Sequence, residues 1–167
     1  MPGGKAERLV ALLLEKGWTV TTAESLTGGR IAAAITAVPG SSGVFPGGIV
    51  SYCDRVKHEM LGVPEETLLE YGAVSEPVAA AMAQGAARRL GTELALSATG
   101  LAGPDGDGSD NPVGTVYLGL YVNGETQVKR HVFAGNRKEI QQKSVNAALE
   151  MVLRWLEKAN YSLKSVK

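Results

Sequence analysis

The stretch GSSGVFPGGIVSYCDRVK (residues 40–57) contains, in order, a glycine-flanked turn, a short β-type run and the start of a helix. Residues 47–52 are predicted as a strand, and Asp54 is suited to the N-cap of the helix that follows. Lys57 falls in the first turn of that helix, where the positive end of the helix dipole disfavours a cation. A strand that leads directly into a helix is the repeating unit of an α/β fold.

The rest of the chain continues this alternation of helices and strands. Asn123-Gly124 separates two β-type runs and favours a type I′ hairpin, so at least one pair of strands is antiparallel. The element order α-β-α-β-α-α-α-β-β-β-α predicts an α/β fold, a three-layer α/β/α sandwich with a mixed, about five-stranded sheet. The predicted helices are 5–16, 30–38, 54–61, 65–71, 75–90 and 137–158, and the predicted strands are 18–23, 47–52, 93–98, 115–122 and 125–133.

Length and composition suit one domain spanning residues 1–167, long enough to bury roughly 70% of its unfolded surface. Seventeen basic residues balance seventeen acidic ones, which argues against binding of long nucleic acid or an anionic membrane. The single cysteine, Cys53, excludes an internal disulfide and suits a reducing compartment. The apolar run 9–14 is too short to span a membrane, so we expect a cytoplasmic protein.

Ser42 and Lys57 form a candidate nucleophile and base if the fold brings the turn back to the helix start. A lysine titrates near 10.4 and a working base nearer 7–8, a difference of about 4 kcal/mol. A helix terminus supplies only about 0.3–1 kcal/mol, so burial and neighbouring donors must supply the rest. Tyr52 is a candidate neighbour. Local sequence alone favours the simpler alternative, a turn-forming serine and an exposed lysine.

Four polar or glycine-rich loops follow strands or precede helices, at 24–30, 52–57, 99–114 and 134–138. Ligands of open α/β sheets bind at the carboxyl ends of the strands. Ser25, Thr27 and Gly28 offer hydroxyl and N–H groups at a helix start, a setting for phosphate, although a plain N-cap is the commoner reading. Arg137 is a second phosphate candidate, with a solvated surface arginine as the alternative.

The sequence predicts no metal site and no cofactor. The acidic loop 105–110 resembles part of a calcium loop but lacks the glycine at its sixth position and a glutamate at its twelfth. His58 and His131 are not spaced as metal ligands. No Walker A or GxGxxG pattern is present. Cys53 follows a strand, and we expect it to be buried and inert.

Six ordered motifs together resemble the CinA C-terminal domain family, whose characterised enzymes are nicotinamide-nucleotide amidohydrolases of the PncC type. The motifs are TAESLTGG (22–29), GSS (40–42), the spacing from Tyr52 to Lys57, TGLAGPDG (99–106), PVGTV (112–116) and FAGNR (133–137). The resemblance implies a cytoplasmic, metal-independent enzyme that hydrolyses nicotinamide mononucleotide (NMN) to nicotinic acid mononucleotide and ammonia.

The resemblance also implies site residues. Its catalytic positions fall on Ser42, Tyr52 and Lys57, and its substrate-binding positions on Thr99, Arg137 and the pair Glu24-Ser25. Departures from the family pattern are Leu26 for a frequent cysteine, Cys53-Asp54 for Ser-Asn, and a loop 106–111 that lacks Gly-Gly-Thr. The family's frequent molybdopterin-binding-like domain has no counterpart in this sequence.

We therefore expect Ser42 to attack the carboxamide of NMN, with Lys57 as base and Tyr52 orienting it. Ser25, Thr27, Gly28 and Arg137 are the expected contacts of the phosphate and ribose. Two other classes stay open: a non-catalytic nucleotide-sensing or competence-related interaction module, and a metal-dependent phosphoanhydride hydrolase that uses the loop 105–110. A homo-oligomer is compatible with the sequence, but periodicity indicates no interface.

Overall fold

A computed structural model of the chain describes residues 3–164, with side chains as far as residue 159. This part of the chain forms six α-helices, a single turn of 3-10 helix at Ser41–Gly43 and one five-stranded sheet. The helices are α1 (Lys5–Lys16), α2 (Arg30–Thr36), α3 (Asp54–Leu61), α4 (Glu65–Tyr71), α5 (Glu76–Leu90) and α6 (Arg137–Lys164); the strands are β1 (Val20–Glu24), β2 (Gly48–Val50), β3 (Leu94–Gly100), β4 (Thr115–Val122) and β5 (Glu125–Val132).

The sheet is mixed, as the sequence predicts, with the strand order β2-β1-β3-β4-β5. β1 pairs in parallel with both β2 and β3, whereas β4 runs antiparallel to β3 and to β5. The hairpin between β4 and β5 turns at Asn123 and Gly124, whose φ angles of 44° and 99° are those that a type I′ turn requires.

Helices cover both faces of the sheet and create two apolar cores. α1, α2 and α6 pack on one face, and α3, α4 and α5 pack on the other. Side chains of β3 alternate between them, because Leu94 and Leu96 belong to the first core and Ala95 to the second. The expected three-layer α/β/α sandwich is therefore confirmed.

The observed bounds differ from the predicted ones most at α6, which continues to Lys164 instead of ending at 158, and by one or two residues at α2, β2 and β3. β1 differs at both of its ends. The strand begins at Val20 and continues to Glu24, because its ladder with β2 and β3 extends to the pairs Glu24↔Val50 and Glu24↔Ala98. Trp18 lies before the strand and contacts Trp155 of α6, with 6.4 Å between ring centroids. The 3-10 turn at Ser41–Gly43 was not predicted.

Parallel pairing brings the carboxyl ends of β1, β2 and β3 to one edge of the sheet, where β4 begins and β5 ends. The four polar loops predicted from the sequence all start or finish at this edge, which we call the carboxyl edge. No helix in the described part of the chain is both long and apolar enough to cross a lipid bilayer.

Candidate active site

Glu24 ends β1 and organises the turn that follows it. The side chain is fully buried, and its carboxylate oxygens accept hydrogen bonds from the N–H groups of Gly29 (3.1 Å), Ile31 (2.9 Å) and Ala32 (2.8 Å). An anion at this position satisfies the free donors at the start of α2 and complements its dipole. The carboxylate therefore acts as an internal anion for α2, while the N–H groups of Leu26 and Thr27 in the same turn are not bonded to it. A contact between Glu24 and substrate stays a prediction.

Ser25 and Lys57 meet at the carboxyl edge. Lys57 Nζ donates to Ser25 Oγ at 3.2 Å and to the carbonyl oxygen of Ser51 at 3.1 Å. The contact follows from topology, because β1 and β2 are parallel neighbours and the Ser51 N–H continues their ladder to Glu24 O. Ser25 comes directly after β1, and the first turn of α3 carries Lys57 back over the end of β2.

The environment of Lys57 disfavours its charge. Only 2% of the residue is exposed, and this burial lowers the pKa of its amine from the ordinary value of 10.5. The carboxylate of Asp54, with Oδ1 at 3.8 Å from Nζ, opposes the effect and raises the pKa, and Cys53 acts in the same direction. Because Asp54 is largely exposed, water screens its charge, and desolvation has the larger effect. The site therefore holds an amine that is easier to deprotonate than a surface lysine.

The expected contact between Ser42 and Lys57 does not form. Ser42 lies exposed in the 3-10 turn, and the next residue but one, Val44, accepts a hydrogen bond from the N–H of Val20 at 2.8 Å. Val20 is the first residue of β1, so this turn sits at the amino end of the sheet. A five-residue strand separates it from the carboxyl edge by roughly 13 Å. Ser42 is thus replaced by Ser25 as the serine beside Lys57.

Tyr52 and Arg137 form a bridge across the mouth of the site. Arg137 donates to the hydroxyl of Tyr52 and, at 2.8 Å, to the carbonyl oxygen of Gly103 in the long loop after β3. Both side chains are exposed. Tyr52 therefore contacts Arg137 and makes no hydrogen bond to Lys57 within the described residues. Thr99 lies nearby at the end of β3, but its buried hydroxyl donates to Ala73 O at 2.7 Å.

Several buried polar groups around Ser25 have no partner among the described residues. The hydroxyls of Thr27 and Ser51 are fully enclosed and unpaired. The backbone N–H groups of Leu26 and Thr27, which follow Ser25, also donate no hydrogen bond in this part of the chain, although both residues are buried. Unpaired buried donors are rare and costly, so they point to a bound ligand or water.

The remaining candidates lie outside this cluster. Cys53 is exposed at the N-cap of α3, contrary to the expectation that it is buried. The ring Nδ1 of His58 lies 2.8 Å from Val63 O, and His131 stacks on Phe133. Asp107 accepts hydrogen bonds from Ser109 within its own loop. Among the described residues, no three His, Cys, Asp or Glu side chains cluster as metal ligands would.

Sequence reasoning assigned Ser25 to phosphate and missed its contact with Lys57. A signal was present, because a serine placed between a strand and a glycine-rich turn into a helix resembles the nucleophile elbow of hydrolases. Gln141 was missed as well: it is buried in the second turn of α6 and donates to Leu26 O at 2.8 Å. No local pattern indicates this contact, since 115 positions separate the two residues.

Comparison with known proteins gives consistent matches over almost the whole chain. The family model described as the CinA C-terminal domain matches residues 4–156. A CinA-like protein from Dictyoglomus turgidum is 47% identical over 150 residues, covering 90% of this chain, and one from Kosmotoga olearia is 49% identical over the same length and share. Each match covers 36% of the relative, so the chain spans just over a third of the length of these curated relatives.

Solved structures agree with the fold. A CinA superfamily protein from Escherichia coli superposes with a TM-score of 0.89 at 33% identity, covering 90% of this chain and 88% of that one. A competence/damage inducible protein from Agrobacterium tumefaciens gives 0.84 at 39% identity, covering 94% and 98%.

Proposed function

The chain belongs to the CinA C-terminal domain family, and from that premise we propose that it is an amidohydrolase that converts NMN to nicotinic acid mononucleotide and ammonia. The observation that carries the proposal is the buried Lys57 amine, hydrogen-bonded to Ser25 Oγ at the carboxyl edge. A serine hydroxyl is a weak nucleophile until a neighbouring base removes its proton, and a lysine with a lowered pKa is such a base.

The proposed reaction has two halves. Ser25 Oγ adds to the carboxamide carbon while its proton passes to the neutral Lys57 amine. The tetrahedral intermediate then collapses, and the Lys57 ammonium returns the proton to the departing nitrogen, so that ammonia leaves an acyl-serine. A water molecule attacks this ester, Lys57 accepts the water's proton, and return of that proton to Ser25 Oγ frees the acid and restores the enzyme.

The unpaired N–H groups of Leu26 and Thr27 are the proposed oxyanion donors. Leu26 directly follows the nucleophile, as in the turn of α/β hydrolases, where the residue after the serine supplies one donor, and Thr27 is the next residue. Preorganised donors of this kind typically contribute a factor of about 10²–10³ each to kcat. An oxyanion would therefore give the N–H groups of Leu26 and Thr27, which are unpaired in the described part of the chain, a hydrogen-bond acceptor.

Arg137 is the proposed contact of the substrate phosphate. Its guanidinium carries five N–H donors, of which the bonds to Tyr52 and Gly103 use two. At the start of α2, by contrast, the N–H groups of Gly29, Ile31 and Ala32 are already bound to Glu24, so we do not assign them to the phosphate. The choice of NMN rests on the family resemblance, and the choice of Ser25 rests on the geometry.

Ammonia release from NMN by Ser25→Ala, Lys57→Met and Ser42→Ala variants tests the proposal. We expect the first two to lose at least about 1000-fold in kcat and Ser42→Ala to stay near wild type, because Ser42 lies at the opposite edge of the sheet. Full activity in Ser25→Ala would show that Ser25 is not the nucleophile. Tight binding of NMN without turnover by the wild type would favour a nucleotide sensor, and loss of activity with EDTA would favour metal chemistry.

A further inference from the structure

Gln141 contacts the turn that carries Ser25 although it comes from α6, near the other end of the chain. The residue is 5% exposed, and its side-chain Nε2 donates to Leu26 O at 2.8 Å. Its neighbour Gln142 is exposed and, among the described residues, hydrogen-bonds only to Asn146, one turn further along the same helix. Gln141 therefore binds the turn that carries Ser25, whereas the consecutive Gln142 faces solvent.

The geometry of a peptide unit gives this contact a consequence. The Leu26 carbonyl and the Thr27 N–H belong to one planar trans peptide and point in opposite directions. A donor that holds the carbonyl therefore fixes the direction of the N–H. The same hydrogen bond polarises the peptide and strengthens the N–H as a donor. The Thr27 N–H donates to no group in the described part of the chain, so it is available to a ligand oxygen.

We propose that Gln141 is a positioning residue, whose amide holds the Leu26–Thr27 peptide so that the Thr27 N–H meets the oxyanion formed at Ser25. The inference rests on the proposed amidohydrolase function. When Ser25 Oγ adds to the carbonyl carbon, the electron pair of the C=O bond moves to the oxygen and the hydroxyl proton moves to Lys57. The oxygen thereby becomes negatively charged. A hydrogen bond from the Thr27 N–H to this oxygen stabilises the transition state more than the ground state.

Three variants separate positioning from simple packing. Gln141→Met keeps the length of the side chain and removes the donor, Gln141→Lys keeps a donor, and Gln142→Met is the matched control. We expect Gln141→Met to lower kcat on NMN by about 10–100-fold, less than loss of an oxyanion donor itself, with KM within twofold. Gln141→Lys should recover most of kcat, and Gln142→Met should match wild type. All are compared below the onset of thermal unfolding.

A second readout separates the inference from the proposed function. A fluorophosphonate probe labels an activated serine, and its phosphonyl oxygen uses the same donors; the rate of Ser25 labelling is followed by mass spectrometry. A tenfold or greater decrease in Gln141→Met, with recovery in Gln141→Lys, supports the inference even if NMN proves not to be the substrate. Equal labelling rates, an effect on KM alone, or equal losses in the Met and Lys variants would overturn it. Wild-type protein that is not labelled at Ser25 would overturn both proposals.

Discussion

At the scale of single residues, the catalytic role proposed for Lys57 conflicts with the stability of the fold. A lysine that is 2% exposed must lose hydration to fold, and its hydrogen bonds to Ser25 and Ser51 return only part of that free energy. A partner carboxylate at 3.8 Å, mostly exposed, compensates weakly. Such a residue is expected where function requires it and the rest of the fold tolerates the cost.

Replacing Lys57 by methionine should therefore raise stability while it abolishes activity. Methionine fills a similar volume without a charge, and we expect the free energy of unfolding to rise by about 1–2 kcal/mol at pH 7. The pKa of Lys57 is lowered in the folded protein, so the unfolded chain binds the proton more tightly and wild-type stability rises with pH until about the ordinary pKa of 10.5. Urea titrations should accordingly show the advantage of Lys57→Met shrinking between pH 7 and pH 10. A variant less stable than wild type throughout would contradict this account.

Asp54 should set the acidic limit of activity. Burial lowers the pKa of Lys57, and the Asp54 carboxylate partly reverses that effect. Asp54→Asn removes the opposing charge, so the amine becomes neutral at a lower pH and the acidic limb of kcat/KM for ammonia release should move to lower pH. The pH–rate profile measures the shift, and Glu59→Gln, on the exposed side of α3 and paired with Arg55, is the control. An unchanged acidic limb would contradict the influence on the base that is assigned here to Asp54.

At the scale of elements, the site depends on where α3 lies. Gly85 of α5 faces the last turn of α3, and a Cβ at this position would come within 1.7 Å of Leu61 O. The close approach of the two helices is therefore possible only with glycine. Since α3 carries Lys57 in its first turn, any displacement of the helix moves the amine relative to Ser25.

Gly85→Ala should consequently impair both stability and catalysis. Overpacking of this kind costs about 1–3 kcal/mol or more, and α3 is the element that must move. We expect a lower melting temperature and a decrease of at least tenfold in kcat, because small misplacements of catalytic groups are costly. Gly106→Ala is the control, since a Cβ there meets nothing within 4 Å. Wild-type kcat in a Gly85→Ala variant with a lowered melting temperature would show that catalysis does not depend on the position of α3.

Much of the architecture could be predicted because local signals agreed with the tertiary fold. Helix α3 spans the predicted residues 54–61, although its N-cap is Cys53 rather than the predicted Asp54, and the Asn123-Gly124 turn determines the hairpin. The four loops of the site also follow from strand and helix order alone. What could not be predicted was which hydroxyl meets Lys57, since that depends on β1 and β2 being parallel neighbours. The contact of Glu24 with α2 was missed for a similar reason: the sequence does not reveal that its carboxylate folds back onto the start of that helix.

At the scale of the whole molecule, the sheet separates two cores that must unfold together if the chain is one domain. Both tryptophans, Trp18 and Trp155, pack against the core between the sheet and the helices α1, α2 and α6. Met82, fully buried, belongs to the other core. Tryptophan fluorescence therefore reports on the unfolding of one core. A truncation that creates a cavity in the other core tests whether the two cores unfold together.

Met82→Ala should lower the fluorescence-detected melting temperature by at least about 4 °C, because such a truncation costs about 2–5 kcal/mol. Melting followed by far-UV circular dichroism should give the same midpoint, as expected for a two-state transition. A fluorescence midpoint that stays at the wild-type value while circular dichroism shifts would show that the two layers unfold separately.

The burial of Glu24 also determines how the protein responds to ionic strength. Because this carboxylate occupies N–H groups at the start of α2, we expect attraction for an anionic substrate to come from exposed cations at the mouth, chiefly Arg137. Mobile ions screen such a charge: the Debye length decreases from about 10 Å at 0.1 M salt to about 3 Å at 1 M. KM for NMN should therefore rise with added KCl while kcat, set by the enclosed dyad, stays constant, and Arg137→Met should lose the dependence. A KM independent of salt in the wild type would place phosphate recognition elsewhere.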